Sequence, residues 1–125
     1  MLERRGEMKT IIALVLALSF ARAEAGDWAS TDSALLGIAV TGLAADWAQT
    51  RYIATSRGYH ETNPLLGSHP SVGRVNAYFA TSIATTVGLA LWMPKTPRLL
   101  FLGNMAALEM AVIMRNHSIG IQARF

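Results

Sequence analysis

The chain has 125 residues, room for one domain, and is 52% apolar and only 15% charged, whereas an average soluble domain carries roughly 25% charged residues. The net charge of +3 comes from basic residues scattered at segment ends, which excludes the dense basic face that nucleic-acid binding uses. With no cysteine in the sequence, disulfides, thiolate metal centres and a lipoprotein anchor are excluded. This balance predicts an all-α membrane protein, a bundle of three transmembrane helices after an N-terminal signal peptide.

Residues 1–25 read as that signal. Lys9 supplies a positive start, Thr10 to Phe20 an apolar run of 11 residues, and Ala23-Glu24-Ala25 a small-x-small cleavage site. Such a run rises about 17 Å as a helix, short of a hydrocarbon core of about 30 Å. An uncleaved signal anchor is the competing reading, and Met8 is an alternative start. Residues 26–125 then form the three-helix domain.

The first span is expected over about 33–55, with Thr31 or Asp32 as its cap and Arg51 and Arg57 at its far end. A polar connector follows from Gly58 to Gly73, interrupted by Pro64 and Pro70. The second span is expected over about 74–93, with a hydroxyl stripe at Thr81, Ser82, Thr85 and Thr86. Met93-Pro94-Lys95-Thr96-Pro97 reads as a tight turn, and the third span, about 98–114, is short. A signal places Gly26 outside, so the spans run inward, outward and inward. Arg51, Arg57, Arg74, Arg115 and Arg124 then fall on the cytoplasmic side, against Lys95 and Arg98 opposite. This predicts the bacterial inner membrane, with the mature N-terminus outside and the C-terminus cytoplasmic. The alternating end Ile119, Ile121, Ala123 and Phe125 resembles an outer-membrane barrel strand, but Ser33 to Ile53 shows no alternation, and a barrel needs a longer chain.

Ionisable side chains within a span are costly, about 2.5 to 3.5 kcal/mol each on insertion scales, and usually face protein or water. Asp46 and Glu109 are two such residues. Counted from the outer ends of their spans, both lie about 16 to 20 Å deep. An intramembrane polar layer of Asp46, Gln49, Thr50, Asn104 and Glu109 is therefore expected. Its carboxylates are candidates for polar glue between helices, for pairing with Arg51 and Arg115, or for a shared proton or cation. Small residues Gly37, Thr41, Ala44, Ala45 and Ala48 favour close helix approach.

The connector is dense in functional side chains: His60, Glu61, Asn63, Pro64 and His69. Asn63 followed by Pro64 reads as the start of a short helical turn that Gly67 ends, and Ser68 or Ser71 as the start of the next helix. His60, Glu61 and His69, with Asp46, are a candidate set for a divalent metal, although their spacing matches no strong motif. Ser68 or Ser71 with His60 or His69 could suggest a hydrolase, but no nucleophile elbow or oxyanion segment accompanies them. His117 reads as an interfacial polar residue. No catalytic residue and no cofactor are expected.

The run Asp46-Trp47-Ala48-Gln49-Thr50-Arg51, followed by Glu61-Thr62-Asn63-Pro64-Leu65-Leu66-Gly67-Ser68-His69-Pro70-Ser71 and Val75-Asn76-Ala77-Tyr78-Phe79, resembles a group of small bacterial membrane proteins without an assigned activity. It is more distantly similar to a domain-of-unknown-function family with an Asp and a Thr in one helix and Glu-x-Asn-Pro-Leu after it. That family often begins its next helix with a lysine, where this chain has Arg74 and Asn76. The resemblance covers about Ala45 to Phe79, weakly extending to Glu109 and Asn116, and implies architecture but no reaction. The expected function is that of a structural or accessory membrane subunit in a lipid bilayer, self-associating or bound to a larger membrane partner. The alternative is a membrane-embedded proton or cation site using Asp46 and Glu109.

Overall fold

The computed structural model describes residues 28–124, together with Lys9; the signal expected over 1–25 lies outside the described residues apart from Lys9. The described residues form three helices and no strand: α1 (Ser30–Thr55), α2 (Val72–Trp92) and α3 (Lys95–Ser118). Each boundary has a local cause. Ala29 enters α1 in an extended conformation, and the Asp32 carboxylate, three residues on, accepts its amide at 2.8 Å, so one otherwise orphaned donor is satisfied. The Ser71 hydroxyl accepts the Arg74 amide at 3.1 Å and caps α2. Met93 ends α2 because a following proline disfavours helical backbone.

α3 is longer than its sequence suggested, with 24 residues where about 17 were expected. The expected five-residue turn shrinks to Met93-Pro94, and Lys95-Thr96-Pro97 form the first turn of α3. Proline is tolerated there because first-turn amides have no partner within the helix. At the far end the helix runs on through Arg115, Asn116 and His117, and Gly120 reverses the chain at φ +89°.

α1 is the central element: it packs along both α3 and α2, which touch each other far less. α1 and α3 are parallel, since Asp32 and Arg98 meet near their starts while Gln49 and Asn116 meet near their ends. α2 runs the other way, pairing Trp47 with Asn76 near its own start. One apolar cluster joins Leu43, Val75 and Phe79 to Leu66 of the connector; a second joins Ala39, Ala90 and Leu102. The tail folds back on α1, with Ile121 buried and the Arg124 amide donating to the Ala48 carbonyl at 3.4 Å.

The helices bear out the all-α part of the expectation, and the membrane part less fully. Among the described residues α3 alone is long and apolar enough to cross a membrane by length and composition, so three spans do not follow from the helices themselves. The reason is the polar content of α1 and α2, much of which faces the bundle: Gln49, Thr50 and Thr86 are all buried.

Candidate functional site

The helix arrangement stacks three polar layers along α1. The first lies where α1 and α3 begin. Arg98 Nε donates to Asp32 Oδ1 at 2.6 Å, with the two side chains 1% and 0% exposed. Arg98 also donates to the Met93 carbonyl at 3.1 Å and lies 4.5 Å from the centre of the Trp28 ring. The hydrogen bond from Arg98 holds the Asp32 carboxyl below its ordinary range, outweighing the opposite effect of burial. Sequence reading took Asp32 for a cap and Arg98 for a topology charge. The cap is present, but the pairing of residues 66 positions apart has no local signal.

The second layer contains Asp46 and Glu109, whose carboxyl groups lie within hydrogen-bonding reach of each other between α1 and α3. Asp46 Oδ1 also accepts the Thr50 hydroxyl at 3.3 Å. Glu109 is 6% exposed, and its Oε2 is the buried side-chain polar atom that lacks a hydrogen-bond partner among the described residues. Arg51 and Arg115 therefore do not serve that oxygen, as one sequence alternative had it. The helices close tightly here. A Cβ added to Gly42 would stand 2.8 Å from Glu109 Cβ, so α1 offers a bare backbone at the level where α3 presents its carboxylate.

One turn further along, Gln49 Nε2 donates to the Ile113 carbonyl at 3.2 Å, and its Oε1 accepts from Asn116 Nδ2 at 3.1 Å. Gln49 and Thr50 thus belong to the same interior zone as the carboxylates. Asn104 does not. It is exposed on α3, with its amide satisfied by the Leu100 carbonyl of its own helix at 2.7 Å, because its position turns it away from α1. The hydroxyl stripe of α2 is likewise divided: Thr86 is buried, Ser82 bonds the Tyr78 carbonyl, and Thr81 and Thr85 are exposed.

The third layer is built from residues of the runs Asp46–Arg51, Glu61–Ser71 and Val75–Phe79. Asn76 Oδ1 accepts both Trp47 Nε1 at 2.9 Å and Arg51 Nη1 at 2.7 Å, tying α2 to α1. Trp47 stacks on Phe79, ring centres 6.3 Å apart. In the connector, Glu61 Oε1 accepts the amides of Thr62 and Asn63, and Asn63 Oδ1 accepts that of Leu65. Pro64 opens the resulting turn, and Gly67 leaves it at φ +80°. Leu66 is thereby held in the core, while Arg74 donates to the Leu65 carbonyl at 2.9 Å. Glu61 also lies near enough to Asp46 to bear on it electrostatically.

His60 and His69 stand on the surface, His69 beside the Ser68 hydroxyl at 3.2 Å. Among the described residues no three His, Asp or Glu side chains come together as a metal centre would need, so the set His60, Glu61, His69 and Asp46 is not assembled. His117 is exposed at the end of α3. Gly42 and Asn76 were not singled out from the sequence as contact residues, although each sits in a stretch that was: the small-residue face of α1 and the motif at the start of α2. No family model, curated protein or solved structure matches the chain, so its functional reading rests on its own side chains.

Proposed function

We propose that this chain is a small integral membrane protein whose three helices all cross the bilayer, acting as a structural or accessory subunit of the bacterial inner membrane. The observation that carries the reading is the outward face of α3. Leu100, Leu108, Met110 and Met114 are each more than half exposed, and large exposed apolar side chains on one helix are what a lipid or protein contact would cover. The charge pattern supports extending it to all three helices. Residues 33–50, 75–92 and 99–114 contain only two Asp, Glu, Lys, Arg or His side chains between them, Asp46 and Glu109, and helices of 16 to 18 residues rise about 24 to 27 Å. Composition counts the polar groups of α1 and α2 against membrane insertion even where they face inward, which is where membrane helices place them. Arg51, Arg57, Arg74, Arg115 and Arg124 gather towards one end of the bundle and would mark its cytoplasmic side.

An open apolar groove of about 460 Å³ between α1 and α3, lined by Ala34, Gly37, Thr41, Gly42, Met110 and Ile113 among others, is consistent with self-association or a larger partner. A second reading, a proton or cation site at Asp46 and Glu109, is favoured by the buried, unpartnered Glu109 Oε2. Two adjacent carboxyl groups repel when both are ionised, and a shared proton or a cation relieves that repulsion. Asp46→Asn and Glu109→Gln distinguish the two. A structural role predicts that these amide variants keep cellular function while alanine variants lose abundance, measured by immunoblot of membranes. Loss of function at normal abundance in the amide variants would reverse that assignment in favour of the proton or cation site.

A further inference from the structure

The two carboxyl groups at the α1–α3 crossing are not equivalent. The Thr50 hydroxyl, one turn along α1, donates to Asp46 Oδ1 at 3.3 Å, whereas Glu109 Oε2 is buried and receives no donor from the described residues. Glu109 as a whole is 6% exposed. An ionised carboxylate oxygen in that place would be a buried charge without a hydrogen bond, which costs far more than leaving the carbonyl oxygen of a neutral acid there. Asp46 is the carboxyl group that has a donor, and its hydrogen-bonding reach to Glu109 therefore has one favoured sense: Glu109 gives the hydrogen and Asp46 receives it.

The elements packed around the pair bring a further negative charge close to it and hold their cations in other contacts. Glu61 of the connector bears on Asp46 electrostatically, and its Oε1 accepts the amides of Thr62 and Asn63. Beside it, Arg57, His60 and His69 are exposed. On α1, Arg51 donates to Asn76. On α2, Arg74 donates to the Leu65 carbonyl, and Tyr78 lies edge-on to Phe79. On α3, Arg115 is exposed, and in the tail Arg124 lies against the Tyr52 ring. The crossing itself has no slack, since a Cβ added to Gly42 would stand 2.8 Å from Glu109 Cβ. A second ionised carboxylate at this level would repel the first across the tightest approach of the two helices.

We infer that Asp46 and Glu109 form a binding site for one proton, in which Glu109 is the neutral acid and donates to an ionised Asp46, and in which loss of that proton loosens α3 from α1. The hydrogen sits on Glu109 Oε1, which leaves Oε2 as the carbonyl oxygen of the acid. This deepens the second reading of the pair and rests on it in one respect, that an ion lies between the two carboxyl groups; it holds whether that proton is exchanged in a working cycle or kept as a structural link between helices.

The test is an infrared titration of the full-length protein in a mild detergent, from neutral to alkaline pH, following the C=O band of a protonated carboxylic acid, with thermal unfolding measured in parallel. The wild type should show the band at neutral pH and lose it on alkalinisation, and it should lose thermal stability over the same range. Labelling the glutamate side-chain carbonyls with carbon-13 should shift the band, and labelling the aspartates should not. Glu109→Gln should lack the band and keep its stability across the titration, because the amide donates to Asp46 in place of the acid. Glu61→Gln keeps the oxygen that accepts the two connector amides but removes the charge, so the proton should be released at lower pH. A band that shifts with labelled aspartate, or one that persists in Glu109→Gln, overturns the assignment. If sodium chloride, but not choline chloride at equal ionic strength, abolishes the band or restores the stability lost at alkaline pH, the ion is a metal cation: the second reading stands and the proton falls. Absence of both the band and any sodium effect removes both.

Discussion

At the residue scale the Asp32–Arg98 pair shows how a charge near a helix start becomes a structural contact. Both side chains are buried, and their mutual hydrogen bond, the Ala29 amide on Asp32, and the Met93 carbonyl and Trp28 ring around Arg98 help offset the cost of removing them from water. The folded pKa of Asp32 lies below its ordinary 3.8. The stabilisation from its ionised form is therefore complete above about pH 4 and is lost as pH falls through the lower folded value. Thermal unfolding followed by circular dichroism in detergent should show a pH-independent contribution from the pair between pH 5 and 7 and a decline below pH 4. Asp32→Asn should unfold at lower temperature at pH 7, and the gap to the wild type should narrow in acid. A gap that stayed constant down to pH 2 would mean that the Asp32 charge does not hold Arg98. The sequence showed both residues but not the pairing, because an ion pair between residues so far apart depends on how α1 and α3 align.

The elements were more legible than the contacts between them. Helix positions follow from apolar runs bounded by proline and glycine, and α1 and α2 begin and end within three residues of the expected limits. The start of α3 was placed three residues late, because Pro97 reads as a breaker in sequence and is harmless in a first turn. Close approach was located less well. Of the small residues of α1, Gly37 was named as a contact position, yet an added Cβ there meets nothing within 4 Å, whereas at Gly42 it meets Glu109 Cβ at 2.8 Å. Gly42→Ala should accordingly separate α1 from α3 and cost about 1 to 3 kcal/mol, the usual range for overpacking. Gly37→Ala should be neutral or slightly stabilising in the isolated chain, through higher helix propensity. Comparing the two variants by thermal unfolding checks the helix crossing directly. Equal effects at the two sites would place the α1–α3 contact elsewhere.

For the whole molecule, the absence of cysteine makes orientation directly measurable with single-cysteine variants. Ser118→Cys should be protected from a membrane-impermeant maleimide added to intact spheroplasts and react after permeabilisation, while Thr96→Cys, at the opposite end of α3, should react in both cases. The reverse pattern would invert the topology, and equal labelling of both in spheroplasts would remove α3 as a span. The sequence by itself determined the helical class, the three helices among the described residues after position 28, the polar turn around Asn63-Pro64 and the basic bias of one end, since each depends on local composition or on short-range hydrogen bonding. Tertiary structure alone decided which polar groups meet. It joined Asp32 to Arg98, set Asp46 beside Glu109, turned Asn104 outward, kept the histidines apart from Asp46, and brought Arg124 back to Arg51. These outcomes depend on the rotation and alignment of whole helices and on the path of the tail. Because α1 packs against both neighbours while they scarcely touch each other, its side chains form the shared interior face, and no local sequence signal specifies which residues they meet.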